Sequence, residues 1–509
     1  MNIGKIFLVG SGPGDPELIS IKGLKCLKNA DVVLHDRLID ISLLENVKKS
    51  SEIINVGKSP GDNPLIQERI NELMREKALE GKYVVRLKGG DPFIFGRGSE
   101  EALYLKEHGL KFEIVPGISS ISSVAAYAGI PLTHRGTASS FTVLTGTEIL
   151  NSPKKIIGFK GTLPYGDTII VLMGLKNIEN IINVFITEGL SENTPVALIA
   201  SGTMPKQNII IGKLDNIIDK LNTTNISTPV VAIFGEVVKL RQEIKWFDNK
   251  PLFGKNILIT RSKIQSSDIV KLFRAEGANP IEFPTIEIKP INEYKMLDKY
   301  LLNSKDFDWI LFTSQNAVYP FFDRMLDLGI DLRYLSSVKI GAIGNITSDA
   351  LKCYGIISDV VGKNINSGDF IDEFKDINFA GLKILLPKGN LSKNDLYNIL
   401  IGKDAHPTSL EIYNTVEPEY NKSDLYRILN NGIDICTFTS PSTVKNLIKF
   451  IDGDLKLLSK CTIACIGSVT ADAAKEIGLR VEIISKDYTI EGLLDAIENY
   501  YIKEVSDGK

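Results

Sequence analysis

The sequence predicts an α/β protein on largely parallel sheets, in about three folding units. Three observations carry that expectation. Short β-branched runs alternate with amphipathic stretches almost throughout, as parallel sheets with crossover helices require. The rhythm breaks once, at residues 241–253 (RQEIKWFDNKPLF), before a fresh strand, KNILITR. Beyond that break one block of sequence occurs twice.

Taken in order, the first half offers seven strands: KIFLVG (5–10), DVVLHD (31–36), YVVRLKG (83–89), FEIVPG (112–117), TIIVLMG (168–174), PVALIA (195–200) and PVVAIFG (229–235). Amphipathic stretches such as PLIQERINELMREKALEGK (64–82) lie between them. In the second half, DWILFTSQNAV from Asp308 matches DICTFTSPSTV from Asp434, which sets Ser314 and Ser440 126 positions apart. AIGNITSDALKCYG matches ACIGSVTADAAKEIG, with Thr347 and Thr470 offset by 123. A near-constant offset of that size is a duplicated domain-sized unit. A hydroxyl at a helix start is by itself an N-cap. Four at matched positions, each following a strand, point to a ligand cleft at the carboxyl ends of a sheet.

Composition narrows the function. The 509 residues are 43% hydrophobic and 24% charged with a net charge of −3, so the total favours neither nucleic acid nor an anionic membrane. The five cysteines lack metal-ligand spacing and read as reduced core residues, CTIACIG as a buried strand. The four histidines are scattered, so no metal is expected. No signal-peptide layout or bilayer-length apolar run is present, which leads us to expect a cytoplasmic protein.

Two glycine loops carry the chemistry. GSGPGDP (Gly10–Pro16) follows a strand and has an acid, Asp36, 22 residues after Gly14, as a dinucleotide fingerprint would. However, Asp15 stands where that pattern needs a small residue, and Pro13 removes a donor that phosphate would use. Neither loop ends in Gly-Lys-Ser/Thr, so a P-loop fails as well. RLKGGDPFIFGRG (86–98) has Asp91 at its centre, which argues for a cationic or hydroxyl-bearing ligand. S-adenosylmethionine offers a sulfonium, an ammonium and a ribose diol, and glycine permits its close approach to backbone. A tight turn alone explains Gly90 and Pro92 but not the run through Gly98.

The stretches VGSGPGDPELIS, HDRLI, VGK, VVRLKGGDPFIFGRGSEE, VPGISS, YAGIPLTHR, VLMG and SGT, in that order over residues 3–245, resemble uroporphyrinogen-III C-methyltransferase. The resemblance implies the tetrapyrrole methylase fold of two α/β subdomains (1–245), a cleft between them and a homodimer. It assigns Pro13, Gly89, Gly90, Asp91, Ile94, Ser119, Ser120, Met173 and Gly202 to S-adenosylmethionine. It gives Asp36 and Lys58 proton acceptor and donor roles. The substrate is a polycarboxylate, for which Arg37, Lys58, Arg86, Lys88, Arg97 and Arg135 offer charge, although each alone reads as a solvated surface group. Two departures stand out. TGT, ending at Thr147, replaces the family's Thr-Gly-His, and PGISS replaces PGITS with the hydroxyl of Ser119 kept.

Residues 254–505 resemble uroporphyrinogen-III synthase through NILITR, DWILFTSQNAV, AIGNITSDAL, ILLPKG, IYNT, DICTFTSPSTV and CIGSVTADAA. After a linker at 246–253, the implied fold is two-lobed α/β: lobe one 254–285 with 415–505, and lobe two 286–414. Tyr413 occupies the family's tyrosine position and is the candidate acid; a tyrosine on such a strand also serves as packing. Ser314, Thr347, Ser440 and Thr470 would hydrogen-bond substrate carboxylates, and Arg261 and Lys388 would add charge. Together the halves imply conversion of hydroxymethylbilane to uroporphyrinogen III and then to precorrin-2, for sirohaem or cobalamin. Alternatives remain open at this level: a methylase of another corrinoid or of a protein residue, a nucleotide-binding oxidoreductase, and a second half that is a non-catalytic two-lobed binding module.

Overall fold

The computed structural model describes residues 3–57, 67–146, 149, 166–362, 377–392, 394–418 and 422–507. The chain divides into two compact units: residues 1–255 with 273–279 and 501–509, and residues 256–272 with 280–500.

The first unit opens with a parallel sheet of β1 (Ile6–Gly10), β2 (Val32–His35), β3 (Glu52–Asn55), β4 (Val84–Lys88) and β5 (Phe112–Val115), in the order β3-β2-β4-β1-β5. Helices α1 (Ile21–Asn29), α2 (Gln67–Leu79) and α3 (Gly98–Glu107) return the chain between strands, and α4 (Ser120–Tyr127) follows β5. Alternate residues of one strand feed opposite cores: Ile6 and Leu8 pack with Met74 and Leu105, Phe7 and Val9 with Leu27 and Leu87. Burial on both faces is why β1 reads as an unbroken apolar run.

The second sheet corrects the expectation of largely parallel pairing. Strands β6 (Phe141–Thr145), β7 (Thr168–Leu172), β8 (Pro195–Ala200), β9 (Asn208–Lys213) and β10 (Val230–Phe234) lie in the order β6-β7-β10-β8-β9. Only β6 and β7 pair in parallel; β7–β10, β10–β8 and β8–β9 are antiparallel. Between β8 and β9 the chain turns back within seven residues, too short for a crossover helix.

The expected linker also differs. Residues 246–253 are packed: Phe247 and Leu252 are buried, and the Trp246 indole donates to the Ala126 carbonyl at 3.0 Å. Tyr127, Trp246, Phe247 and Phe253 form a chain of edge-on rings. Arg241 pairs with Asp248.

The second unit has two sheets. One holds β11 (Asn256–Ile259), β12 (Asn279–Glu282), β19 (Ile435–Phe438), β20 (Thr462–Cys465) and β21 (Ile483–Ile484), in the order β12-β11-β19-β20-β21. The other holds β13 (Glu287–Pro290), β14 (Trp309–Phe312), β15 (Lys339–Ile343), β16 (Val360–Gly362), β17 (Lys383–Gly389) and β18 (His406–Val416), in the order β13-β18-β17-β14-β15-β16. The repeat appears as two matching parallel runs. In one, α5 (Gln315–Asp327) and α6 (Asn345–Lys352) follow β14 and β15; in the other, α7 (Pro441–Phe450) and α8 (Ser468–Glu476) follow β19 and β20. Ser314 and Ser440 are the N-caps of α5 and α7, and Thr347 and Thr470 are the third residues of α6 and α8.

Candidate functional site

In the first unit the strand-end loops of the parallel sheet face the second sheet across a cavity of about 660 Å³. Pro13, Gly89, Gly90, Asp91, Ile94, Ser119, Ser120, Met173 and Gly202 all line it, with Asp36, Arg37 and Arg97. Arg135 does not; it is exposed in the turn between His134 and Ala138. Lys58 and Thr147 lie outside the described residues.

The glycines divide by task. A Cβ on Gly117 would stand 2.2 Å from the Gly90 carbonyl, and one on Gly10 2.6 Å from the Gly117 Cα. These glycines let backbone meet backbone and seat the loops. At Gly90, with φ of +66°, a Cβ would meet nothing nearer than the Ser120 nitrogen at 4.0 Å, so the backbone there is open. Asp91 has a structural duty that the sequence does not reveal. One carboxylate oxygen accepts from the Phe93 N–H at 2.8 Å and the other from Gly117 N–H at 3.0 Å, so it ties the loop after β4 to the loop after β5. Asp15 turns away from the cavity: it caps Glu17 and accepts the Tyr127 hydroxyl at 2.8 Å. Ser119 caps α4 by accepting from the Ile121 N–H.

Seven described non-glycine residues have left-handed backbone, and Phe95, Arg97, Met173 and Ser201 among them line this cavity. A fifth, Thr203, sits beside it and accepts from the Asp15 N–H at 3.1 Å. Each such residue costs on the order of 1–3 kcal/mol, a strain that persists where the surroundings over-determine it and that clusters at binding sites.

Charge is organised on β4. Residues 86 and 88 share a face of the strand. Glu101 of α3, fully buried, accepts on one oxygen from Arg86 Nε at 3.2 Å, Lys88 Nζ at 2.9 Å and Gln67 Nε2 at 3.0 Å. Arg86 also donates to Asp36 at 2.5 Å and so fixes that carboxylate at the cavity wall. Arg86 and Lys88 are therefore not solvated surface charges; both are 2% exposed and internally paired. Burial opposes the Arg86 charge, but Asp36 and Glu101 outweigh it and raise its pKa. Burial and the Arg86 charge lower that of Lys88. Arg97 is exposed and paired with Glu100 at 2.6 Å. Lys206, which also lines the cavity, was not anticipated; it follows the SGT stretch after β8.

In the second unit Tyr413 lies on β18, 7% exposed, with its ring where a Gly389 Cβ would stand, 2.5 Å from ring carbons. Burial raises the pKa of its hydroxyl, against a smaller opposing influence of Ser314 and Ser392. Two expected residues, Tyr413 and Ser314, thus lie near each other, with Ser392, which no motif marks. Lys388 sits at a bulge in the β17–β18 ladder and donates to Asn394 at 2.7 Å. Ser440 forms a capping box with Thr443, and Thr347 and Thr470 are buried at 4% exposure, so packing holds these hydroxyls. Arg261 is half-buried, and desolvation lowers its pKa against the pull of Asp268. Among the described residues no cluster of three or more His, Cys, Asp or Glu could hold a metal, and no helix is long and apolar enough to cross a membrane.

Residues 5–218 match the family of tetrapyrrole (corrin/porphyrin) methylases, and residues 267–495 match that of uroporphyrinogen-III synthase HemD. A porphyrin biosynthesis protein HemD of Ruminiclostridium josui is 36% identical over 498 residues, 98% of each chain. A uroporphyrinogen-III C-methyltransferase of Bacillus subtilis (strain 168) is 38% identical over 70% of this chain and 73% of its own. Another, of Methanocaldococcus jannaschii, is 50% identical over 47% of this chain and 98% of its own.

Proposed function

This chain belongs with the tetrapyrrole methylases through its first half and with the uroporphyrinogen-III synthases through its second, and we propose that it works as both. It is a bifunctional enzyme of tetrapyrrole biosynthesis. The second half cyclises hydroxymethylbilane to uroporphyrinogen III with the last pyrrole inverted. The first half methylates that product twice to precorrin-2, on the way to sirohaem or cobalamin. The observation that carries the reading is the 98% end-to-end match to a porphyrin biosynthesis protein, within which each half keeps its own family.

The cavity of the first half suits S-adenosylmethionine, with open backbone at Gly90 and apolar walls from Ile94, Leu172 and Met173. When bound, that molecule supplies an electrophilic methyl group on a sulfonium. Gly89, Gly90, Ser119 and Ser120 would hold its polar parts, and Pro13, Ile94, Met173 and Gly202 would enclose the rest. Holding methyl and pyrrole carbon in line does most of the work. Arg86 holds one oxygen of Asp36, which leaves the other to take the proton that the methylated pyrrole releases. Lys58 is the proposed donor, and Arg37 and Arg97 the partners of substrate carboxylates.

In the second half Tyr413 is the proposed acid. The C–O bond of the hydroxymethyl group breaks, and the hydroxyl leaves as water with the phenolic proton of Tyr413. Positive charge stays on the pyrrole. Ring closure onto that carbon later releases one proton, which restores the phenol. Ser440, Thr347, Thr470, Arg261 and Lys388 are the proposed carboxylate partners. A homodimer through the first half, and a cytoplasmic enzyme without nucleic-acid or membrane partners, complete the proposal.

The test is one anaerobic reaction of purified chain with hydroxymethylbilane and S-adenosylmethionine, its products resolved by mass and isomer. Type III product with two added methyl groups is expected. Unmethylated type III product would refute the methylase assignment. Methylated type I product, from spontaneous closure, would refute the synthase assignment.

A further inference from the structure

Four residues close a ring of hydrogen bonds beside the cavity of the first half. The Asp15 N–H donates to Thr203 Oγ1 at 3.1 Å, and the Thr203 N–H to Gln207 Oε1 at 3.1 Å. Gln207 Nε2 donates to the Tyr127 carbonyl at 3.3 Å, and the Tyr127 hydroxyl returns to Asp15 Oδ2 at 2.8 Å. The members come from three segments that line the cavity. Asp15 follows Pro13 and Gly14, Tyr127 ends α4, which opens at Ser120, and Thr203 lies between Gly202 and Met204. These segments also touch. A Cβ on Gly14 would stand 2.9 Å from Thr203 Oγ1, and one on Gly202 2.5 Å from a methyl of Val124 on α4. Thr203 and Gln207 are 2% and 6% exposed, so water competes little for their bonds. Trp246 and Phe247 meet the Tyr127 ring edge-on, and the Trp246 indole holds the neighbouring Ala126 carbonyl.

We propose that this ring is a clasp that sets the spacing of the walls of the S-adenosylmethionine cavity, with Asp15, Tyr127, Thr203 and Gln207 positioning residues of methyl transfer. The inference rests on the reading of that cavity as the S-adenosylmethionine site. None of the four lines the cavity, so each acts through its neighbours. Asp15 follows β1 of the first sheet, whereas Thr203 and Gln207 lie between β8 and β9 of the second, so the ring ties the two sheets together at the cleft. Ser201 and Thr203 have left-handed backbone, a strain that persists where the surroundings over-determine it. Two ring bonds on Thr203 do so. A ligand that meets walls already spaced for it loses no affinity to ordering them. The same spacing aligns methyl and pyrrole carbon, where a displacement of about 1 Å costs about a hundredfold in rate.

The experiment measures S-adenosylmethionine affinity of the full chain by calorimetry, beside its thermal unfolding midpoint. Tyr127→Phe keeps the aromatic ring against Trp246 and Phe247 and removes only the bond to Asp15. It is expected to weaken binding about fivefold, the scale of one hydrogen bond, with the midpoint little changed. Thr203→Val, which removes the acceptor of the Asp15 N–H, is expected to do the same. Thr203→Ser, which keeps the hydroxyl, is expected to bind as wild type does. Either loss opens the same ring, so the double variant Tyr127→Phe, Thr203→Val is expected to bind no worse than the weaker single variant. Losses that multiply in the double variant would make these separate contacts and overturn the clasp. Wild-type affinity in either single variant, whatever its midpoint, would also overturn it, as would a Thr203→Ser variant as weak as Thr203→Val. Tyr127→Phe alone decides the matter if Thr203→Val fails to fold. A wild-type chain that binds no S-adenosylmethionine would remove the site itself and the clasp with it.

Discussion

Asp91 accepts two backbone N–H groups from two different loops, so its removal has a structural cost before any ligand is considered. Losing an acceptor for such donors costs about 1–3 kcal/mol each where they are left unpaired. Asp91→Ala is therefore expected to lower the unfolding midpoint of the first unit and to weaken S-adenosylmethionine binding at least tenfold by calorimetry. Asp91→Asn, which keeps one carbonyl acceptor, is expected to fall between. Full affinity in the alanine variant would show that the loop needs no such tie. The pH behaviour of Tyr413 follows from its burial. Its folded pKa is raised, so its stability contribution is complete below the ordinary tyrosine value of about 10 and is lost as pH rises through the folded value. Wild type minus Tyr413→Phe should thus show less tyrosinate absorbance at about pH 10 than a free tyrosine, which is half ionised there. A difference signal equal to or above that of free tyrosine would contradict the buried phenol.

At the scale of elements, β4 shows how much of a site a strand can hide. In VVRLK the basic residues alternate with apolar ones, the pattern of a half-exposed strand, yet all five residues are buried. The partner that makes this tolerable, Glu101, comes from the next helix, and no periodicity of β4 itself reveals it. Arg86→Met should cost about 3–5 kcal/mol, because it leaves Asp36 without its partner and Glu101 with one cation fewer. Denaturation of the variant checks this, and a loss below about 1 kcal/mol would mean that the cluster is not a unit. The helix caps are the opposite case. Ser440 begins a strand-to-helix turn with Pro441 next and Thr443 three residues on, a signature readable in DICTFTSPSTV, and the capping box is present. Ser440→Ala should cost about 1 kcal/mol of stability. What stayed illegible was pairing direction in the second sheet. PVALIA and PVVAIFG look like the strands of the parallel sheet, because both kinds are buried on two faces and only the connecting chain decides their direction.

The duplicated block was legible because it repeats whole strand-to-helix turns, so its offsets reported equivalent caps in the two sheets of the second unit. The extent of the first unit was less so. The segment at 246–253 is polar and aromatic, and looks like a linker until Trp246 and Phe247 are seen against Tyr127. Each unit holds its own cores and its own candidate site, so the two reactions should be separable by single substitutions. Asp36→Asn is expected to retain ring closure and lose most methylation. Tyr413→Phe is expected to methylate supplied uroporphyrinogen III normally while making little type III product from hydroxymethylbilane. The decisive step is to mix the two variants with hydroxymethylbilane and S-adenosylmethionine. If each unit releases its product to solution, the mixture makes doubly methylated type III product at a rate within a few-fold of wild type. If the mixture instead accumulates unmethylated type III product while wild type does not, the intermediate passes within one chain. Separate units would then not suffice to explain why both activities share a polypeptide.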